Sequence, residues 1–156
     1  MEAVFAGTLI ALFLGGVFEM NARNLQVLKM GKESFAATVA LEERLEQLRS
    51  GKWSDITSPA YLQTILTDPP GSASQLPALS EQISVSAYPA AAPAGAANSV
   101  TRSSAGAVKV MSSNAALTTQ ALVRADLRVT WAGSPGGRTR VRELSTVIGD
   151  RGLITR

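Results

Sequence analysis

The sequence contains no cysteine and no histidine, and each absence closes a class of function. Without cysteine there is no disulfide framework, no thiolate metal site and no thiol nucleophile. Without histidine the commonest general base and the commonest transition-metal ligand are gone as well. The glycine pairs Gly15-Gly16 and Gly136-Gly137 are not phosphate loops, because no lysine-serine or lysine-threonine pair follows at the required spacing. Asp55, Asp68, Asp126 and Asp150 stand singly in turns or strands, which gives neither a paired-carboxylate site nor a calcium loop. Serine is plentiful, but nothing is present to activate it. The expectation is therefore no catalytic residue, no metal and no cofactor.

Charge is scarce and unevenly placed. Charged residues make up 17% of the 156, and the net charge is +3. Residues 1–50 carry five basic and six acidic side chains, 51–100 carry one and three, and 101–156 carry nine and three. The positive excess thus sits in the last third. It is missing altogether from Ala3 to Phe18, sixteen residues without a charge between Glu2 and Glu19. A secretory signal would place basic residues before such a run, where this sequence has Met1 and Glu2. As a helix the run reaches about 24 Å, enough for a shallow or tilted single span once its apolar neighbours Met1 and Met20 are added. Leu9, Ile10, Leu12, Phe13, Leu14, Val17 and Phe18 wrap the whole axis, so the rod expects apolar surroundings on every side. Gly15 and Gly16 mark where it would bend, thin, melt or admit a close neighbour.

No proline interrupts the chain before Pro59. Leu25, Leu28, Phe35, Val39, Leu45 and Leu48 recur at spacings of three, four and seven or their sums, which predicts an amphipathic continuation whose stripe docks on the rest of the protein. Glu19 with Arg23 and Lys29 with Glu33 are spaced to pair across one turn. Arg49 in the last turn and Gly51 as a left-handed cap predict the end near Ser50. One helix from Glu2 to Ser50 would be about 70 Å long.

Downstream, Ser58 and Pro59 are a cap and first-position pair for a short helix bearing Tyr61, Leu62, Ile65 and Leu66, which Asp68-Pro69-Pro70-Gly71 ends. Trp53 and Tyr61 are expected to anchor this connection to the long helix. Ile83 to Ser86 predicts a short strand, and Pro89 to Asn98, nearly all Ala, Pro and Gly, predicts a surface loop. Ala107 to Met111 predicts another strand. Ala121 to Trp131 alternates clearly, with Val123, Ala125, Leu127, Val129 and Trp131 on one side. A turn at 133–137 returns the chain through Arg138 to Ile148, where the parity of Val141 against Leu144 predicts a bulge near Arg142 to Leu144. The expected class is α+β: a long helix over 1–50 (apolar 3–18, amphipathic 19–50), a connecting region over 51–98 and an antiparallel sheet over 99–156.

A charge-free segment opening on a lone glutamate, running into an amphipathic helix of this length and then a small strand-forming domain, resembles a type IV pilin or a type II secretion pseudopilin. The likeness covers residues 1–50 in pattern and the remainder in outline, where a Trp-ended strand, a glycine turn and an Arg-rich strand also look like the C-terminal strands of minor pilins. The resemblance implies a pilin-like fold and a structural role, with no enzymatic activity. It implies a single pass through the inner membrane before assembly, a prepilin peptidase and pilus assembly machinery as partners, and then a helical homopolymer at the cell surface. Glu2 matches the family's N-terminal glutamate by context and would set axial register against an amine on an adjacent subunit, with the leader and the methylated amine a few residues before it. Phe5, Leu9, Leu12, Phe13, Gly15, Gly16 and Phe18 would then form the filament core. A minor subunit that primes a filament, and an unrelated single-pass protein whose periplasmic head binds a partner, are the alternatives.

Arg138, Arg140 and Arg142 share a strand face, and Arg124 and Arg128 could lie beside them. Such a strip could bind DNA phosphates, contact acidic residues such as Glu42, Glu43 and Glu46 on neighbouring subunits, or simply face solvent. No aromatic alternates with these arginines as a single-strand platform requires, which weighs against DNA.

Overall fold

The computed structural model describes residues 2–89 and 97–150. Helix α1 runs unbroken over Glu2–Ser50, 49 residues, and passes through Gly15-Gly16 without interruption. The short helix α2 (Trp53–Ile56) and helix α3 (Pro59–Thr67) follow. Strands β1 (Ser80–Ala87), β2 (Ala97–Arg102), β3 (Val108–Ser112), β4 (Leu122–Gly133) and β5 (Arg138–Gly149) form one antiparallel sheet in the order β3-β2-β1-β4-β5. The class is α+β, a long N-terminal helix with a five-stranded antiparallel sheet.

The sheet begins at Ser80, inside the stretch read from sequence as connecting, and β1 is its central strand. Strand β2 was not anticipated, because Ala97-Asn98-Ser99 looks like the tail of an Ala-rich loop; within the stretch read as a loop, residues 90–96 lie outside the described residues. Pairing of β4 with β5 is in register from Leu122↔Gly149 to Gly133↔Arg138, so the bulge expected near Arg142 is absent there. Val141 is exposed on the far face of the sheet, and the parity conflict came from reading it as a core residue. A register shift falls instead between Ser99 and Val100 on the β2–β3 pair.

One face of the sheet is apolar and covered. Ile83 and Val85 of β1, Val100 of β2 and Val123, Ala125, Leu127, Val129 and Trp131 of β4 are buried against α1 and α3. Alpha helix α3 covers the β2–β3 side through Leu62, Ile65 and Leu66, and α1 covers the β4–β5 side. What α1 buries differs from the stripe expected of it. The buried residues are Glu33, Ala36, Ala37, Ala40, Leu41, Arg44 and Leu48, while Leu25, Leu28 and Phe35 are exposed and Val39 and Leu45 only half-buried. Alanines let the helix axis come close to a sheet whose own side chains are large, which is how small residues win the contact from Phe35.

Two polar connections fix α1 on this layer. The Arg44 guanidinium uses each of its five N–H donors: Nε and Nη2 donate to the Glu81 carboxylate, Nη1 to Gln47 Oε1 and to the Ile65 carbonyl, and Nη2 also to the Asp68 carbonyl. One buried side chain thereby ties α1 to β1 and to the C-terminal end of α3. At the end of α1, the Tyr61 hydroxyl donates to the Gln47 carbonyl at 3.0 Å, and the ring lies against Gly51, where a Cβ would meet the hydroxyl oxygen at 2.7 Å. Gly51 is not in the left-handed conformation expected of a cap, so it is close approach of Tyr61 that calls for glycine. Trp53 packs on the core edge, and its indole Nε1 donates at 3.4 Å to the Thr118 carbonyl and not to the helix.

Candidate assembly surface

Among the described residues, the N-terminal half of α1 is exposed along its length. An 18-residue window near the N terminus reaches a mean hydropathy of 1.6 with none of it buried, so the helix is long and apolar enough to cross a membrane. Glu2 stands exposed in the first turn. Phe5, Leu9, Leu12, Phe13 and Phe18 are exposed around the axis, and beyond the helix's own backbone and the neighbouring residues no described atom lies within 4 Å of where a Cβ on Gly15 or Gly16 would be. All eight residues singled out from sequence as assembly positions therefore lie on one free rod.

The free apolar surface extends further down the helix than residue 18. Phe18, Leu25, Leu28 and Phe35 follow at spacings of seven, three and seven, which keeps them on one side. Phe35 is nine residues from Arg44 and Leu28 nine from Ala37, about two and a half turns each, so both point directly away from the sheet. Leu28 and Phe35 remain 62% and 70% exposed. The helix thus presents one face to its own sheet and leaves the opposite, apolar face exposed.

Where the free half meets the head, Glu33 is buried beneath the β4–β5 turn at 2% exposure. Its Oε2 accepts from the Ser134 amide at 3.0 Å, so the pair with Lys29 expected from spacing gives way to a contact 101 residues distant in sequence. Burial pushes the Glu33 carboxyl up, but the Ser134 amide and hydroxyl, the Trp131 indole and the Arg140 charge outweigh it and hold the group below its ordinary value. Glu33 Oε1 and Trp131 Nε1 are each buried without a hydrogen-bond partner, so the indole acts on the carboxylate at longer range than a hydrogen bond. The other pair read from sequence, Glu19 with Arg23, is formed on the free half.

Comparison with protein-family models, with curated proteins and with solved structures finds no match to this chain. Its surfaces must be interpreted from their own chemistry.

The five arginines do not make one strip. On β5, Arg138, Arg140 and Arg142 lie opposite Gly133, Trp131 and Val129, on the helix-covered side of the sheet. Arg142 donates to the Thr38 hydroxyl on α1 at 2.8 Å, and Arg140 donates to the Ser134 carbonyl at 3.1 Å while lying over Gly133, where any side chain would collide with it. Arg124 and Arg128 point to the other face and pair with Asp126 at 2.8 Å and Glu143 at 3.3 Å. The β4–β5 register, which pairs even positions on one strand with odd positions on the other, separates them. Among the described residues no cluster of acidic side chains is placed to hold a metal ion.

Sequence reading missed Arg44, Glu81 and Asn98. Asn98 is fully buried, its Nδ2 donating to the Thr57 carbonyl and its Oδ1 accepting from the Asn114 amide, which links three segments. The available signal for Arg44 was a charge set among Ala40, Leu41 and Leu48 on the buried side. Nothing in the sequence points from it to Glu81.

Proposed function

We propose that this protein is the structural subunit of a type IV pilus-like filament, polymerising through the free half of α1. The observation that carries the reading is one continuous helix whose C-terminal part is fixed to a folded head while its apolar part, Val4 to Phe35 on the far side, is exposed among the described residues. Before assembly the rod would sit in the inner membrane as a single span with the head on the periplasmic side, after processing by a prepilin peptidase. The assembly machinery would then move it from lipid to a bundle of identical rods, an exchange that costs little because both hosts are apolar. Glu2, an exposed carboxylate at the rod's end, would be costly in such a bundle unless paired with an amine of a neighbouring copy, and that pairing would fix register. A head-to-tail contact of this kind does not close into a ring, so it propagates.

The absence of cysteine makes the test clean. A chain carrying both Phe5→Cys and Leu12→Cys, whose two thiols let disulfides propagate from copy to copy, is expected on oxidation in native cells to give cross-linked ladders beyond the dimer. Cross-links stopping at dimer, or none at all, would point instead to a single-pass protein whose head binds a partner. A minor subunit that primes a filament built mainly of another protein would give short mixed cross-links with that protein.

A further inference from the structure

The sheet face away from α1 and α3 carries a cavity bordered by polar side chains that the filament reading does not use. Strand register sets Lys109, Thr101, Gln82, Arg128 and Glu143 in one row across all five strands. Above the Lys109 to Arg128 part of this row lies a cavity of about 370 Å³, within the roughly 300–1,000 Å³ usual for small-molecule sites. Lys109 and Arg128 are three strand spacings apart, about 14 Å, and their long side chains flank the space from both ends. Between them stand Thr101, Gln82 and the hydroxyls of Ser80 and Thr130, which are 3.0 Å from one another. Hydroxyl and carboxamide groups both donate and accept.

Charge distinguishes this cavity from its neighbour. The only carboxylate lining it, Glu81, is buried and already engaged by Arg44 and Arg102. Lys109 forms no ion pair among the described residues, while Arg128 pairs with Glu143 at 3.3 Å with both side chains at least half exposed. The adjoining cavity of about 280 Å³ contains Arg124 and Arg128 against Asp126 and Glu143, so its charges cancel. Of the two, only the first holds a cation, Lys109, that forms no ion pair among the described residues.

We infer that the outer face of the sheet binds an anionic sugar, a hydroxylated ring carrying a phosphate or a carboxylate, between Lys109 and Arg128. The anionic group would be held by charge-assisted bonds at a cationic end, and the ring hydroxyls by Thr101, Gln82, Ser80 and Thr130.

The full chain in a polyoxyethylene detergent, which carries neither charge nor sugar, is titrated calorimetrically with glucose 6-phosphate, glucuronate, glucose and inorganic phosphate. Saturable binding of glucose 6-phosphate or glucuronate is expected, with glucose and inorganic phosphate at least tenfold weaker. Lys109→Ala and Arg128→Gln should each weaken binding about tenfold, and both sites are exposed enough to leave the fold intact by circular dichroism. Binding of the phosphorylated sugar identifies one source of the anion, and of glucuronate the other. No saturable binding of either, inorganic phosphate bound as tightly as the sugars, or affinity unchanged in both variants would overturn the proposal.

Discussion

Arg44 of α1 and Glu81 of β1 meet as a two-pronged pair, Nε to Oε1 at 2.9 Å and Nη2 to Oε2 at 3.1 Å, with both side chains 2% exposed. Two charges removed from water lose several kcal/mol of hydration each, and only complete bonding on both sides makes the arrangement tolerable. Here Arg102 adds a second cation to Glu81 at 3.3 Å, and the Gln47 side chain with the Ile65 and Asp68 carbonyls takes the rest of the Arg44 donors. Such a pair specifies where the helix sits more than it adds net stability.

Breaking the pair on one side should therefore cost far more than removing it. Glu81→Gln or Arg44→Ala is expected to destabilise the head by about 3–5 kcal/mol, whereas Arg44→Met with Glu81→Leu should recover most of that loss. Urea unfolding followed by Trp fluorescence measures all three. Equal losses in the single and double variants would contradict the assignment.

The Glu33 carboxyl is held below its unfolded value of 4.5. A group depressed in the folded state releases its proton more readily there, so its stabilisation is fully present above pH 4.5 and disappears as pH falls through the folded value. Glu33→Gln should lower stability by about 1–2 kcal/mol at neutral pH. The difference from the parent should vanish in strong acid. Melting curves across this range give the answer, and a gap that persists unchanged at low pH would show that Glu33 acts through shape alone.

Gly51→Ala places a methyl group 2.7 Å from the Tyr61 hydroxyl oxygen, nearer than real side chains come. The ring must move and release the Gln47 carbonyl, which should cost about 1–2 kcal/mol. Tyr61→Phe loses only the hydrogen bond, so it should cost about 1 kcal/mol. Near-equal stabilities of Gly51→Ala and the parent would rule out the close approach.

Phe35→Ser and Leu28→Ser alter only exposed side chains on the side away from the sheet. Head stability should stay within about 0.5 kcal/mol of the parent. Filament yield in native cells should fall steeply. Unchanged yield in the double variant would confine the assembly surface to the rod above Leu25.

How much of this the sequence discloses depends on the range of the interaction. The length of α1, its end near Ser50, the short helix over Leu62 to Leu66 and the alternating strand through Val123 to Trp131 follow from local periodicity and turn chemistry, and the structure has them. The face that α1 buries was misread because hydrophobicity was taken as the guide, whereas the sheet selects the alanines and leaves the stripe of Leu25, Leu28 and Phe35 exposed. Glu33 was paired with Lys29 on spacing, because its true contact at Ser134 exists only once the β4–β5 turn closes over it. The two sets of arginines were placed together for the same reason: parity within a strand is local, but which parity faces the helix is decided by the whole sheet.

The most direct test of the assembly claim is electron microscopy of filaments sheared from the native cells, with mass spectrometry of their principal protein and its N-terminal peptide. The account predicts filaments composed chiefly of this chain, with a methylated amine a few residues before Glu2. Filaments in which the chain is scarce would make it a priming subunit, and its presence only in membranes with an unprocessed N terminus would contradict the filament reading outright.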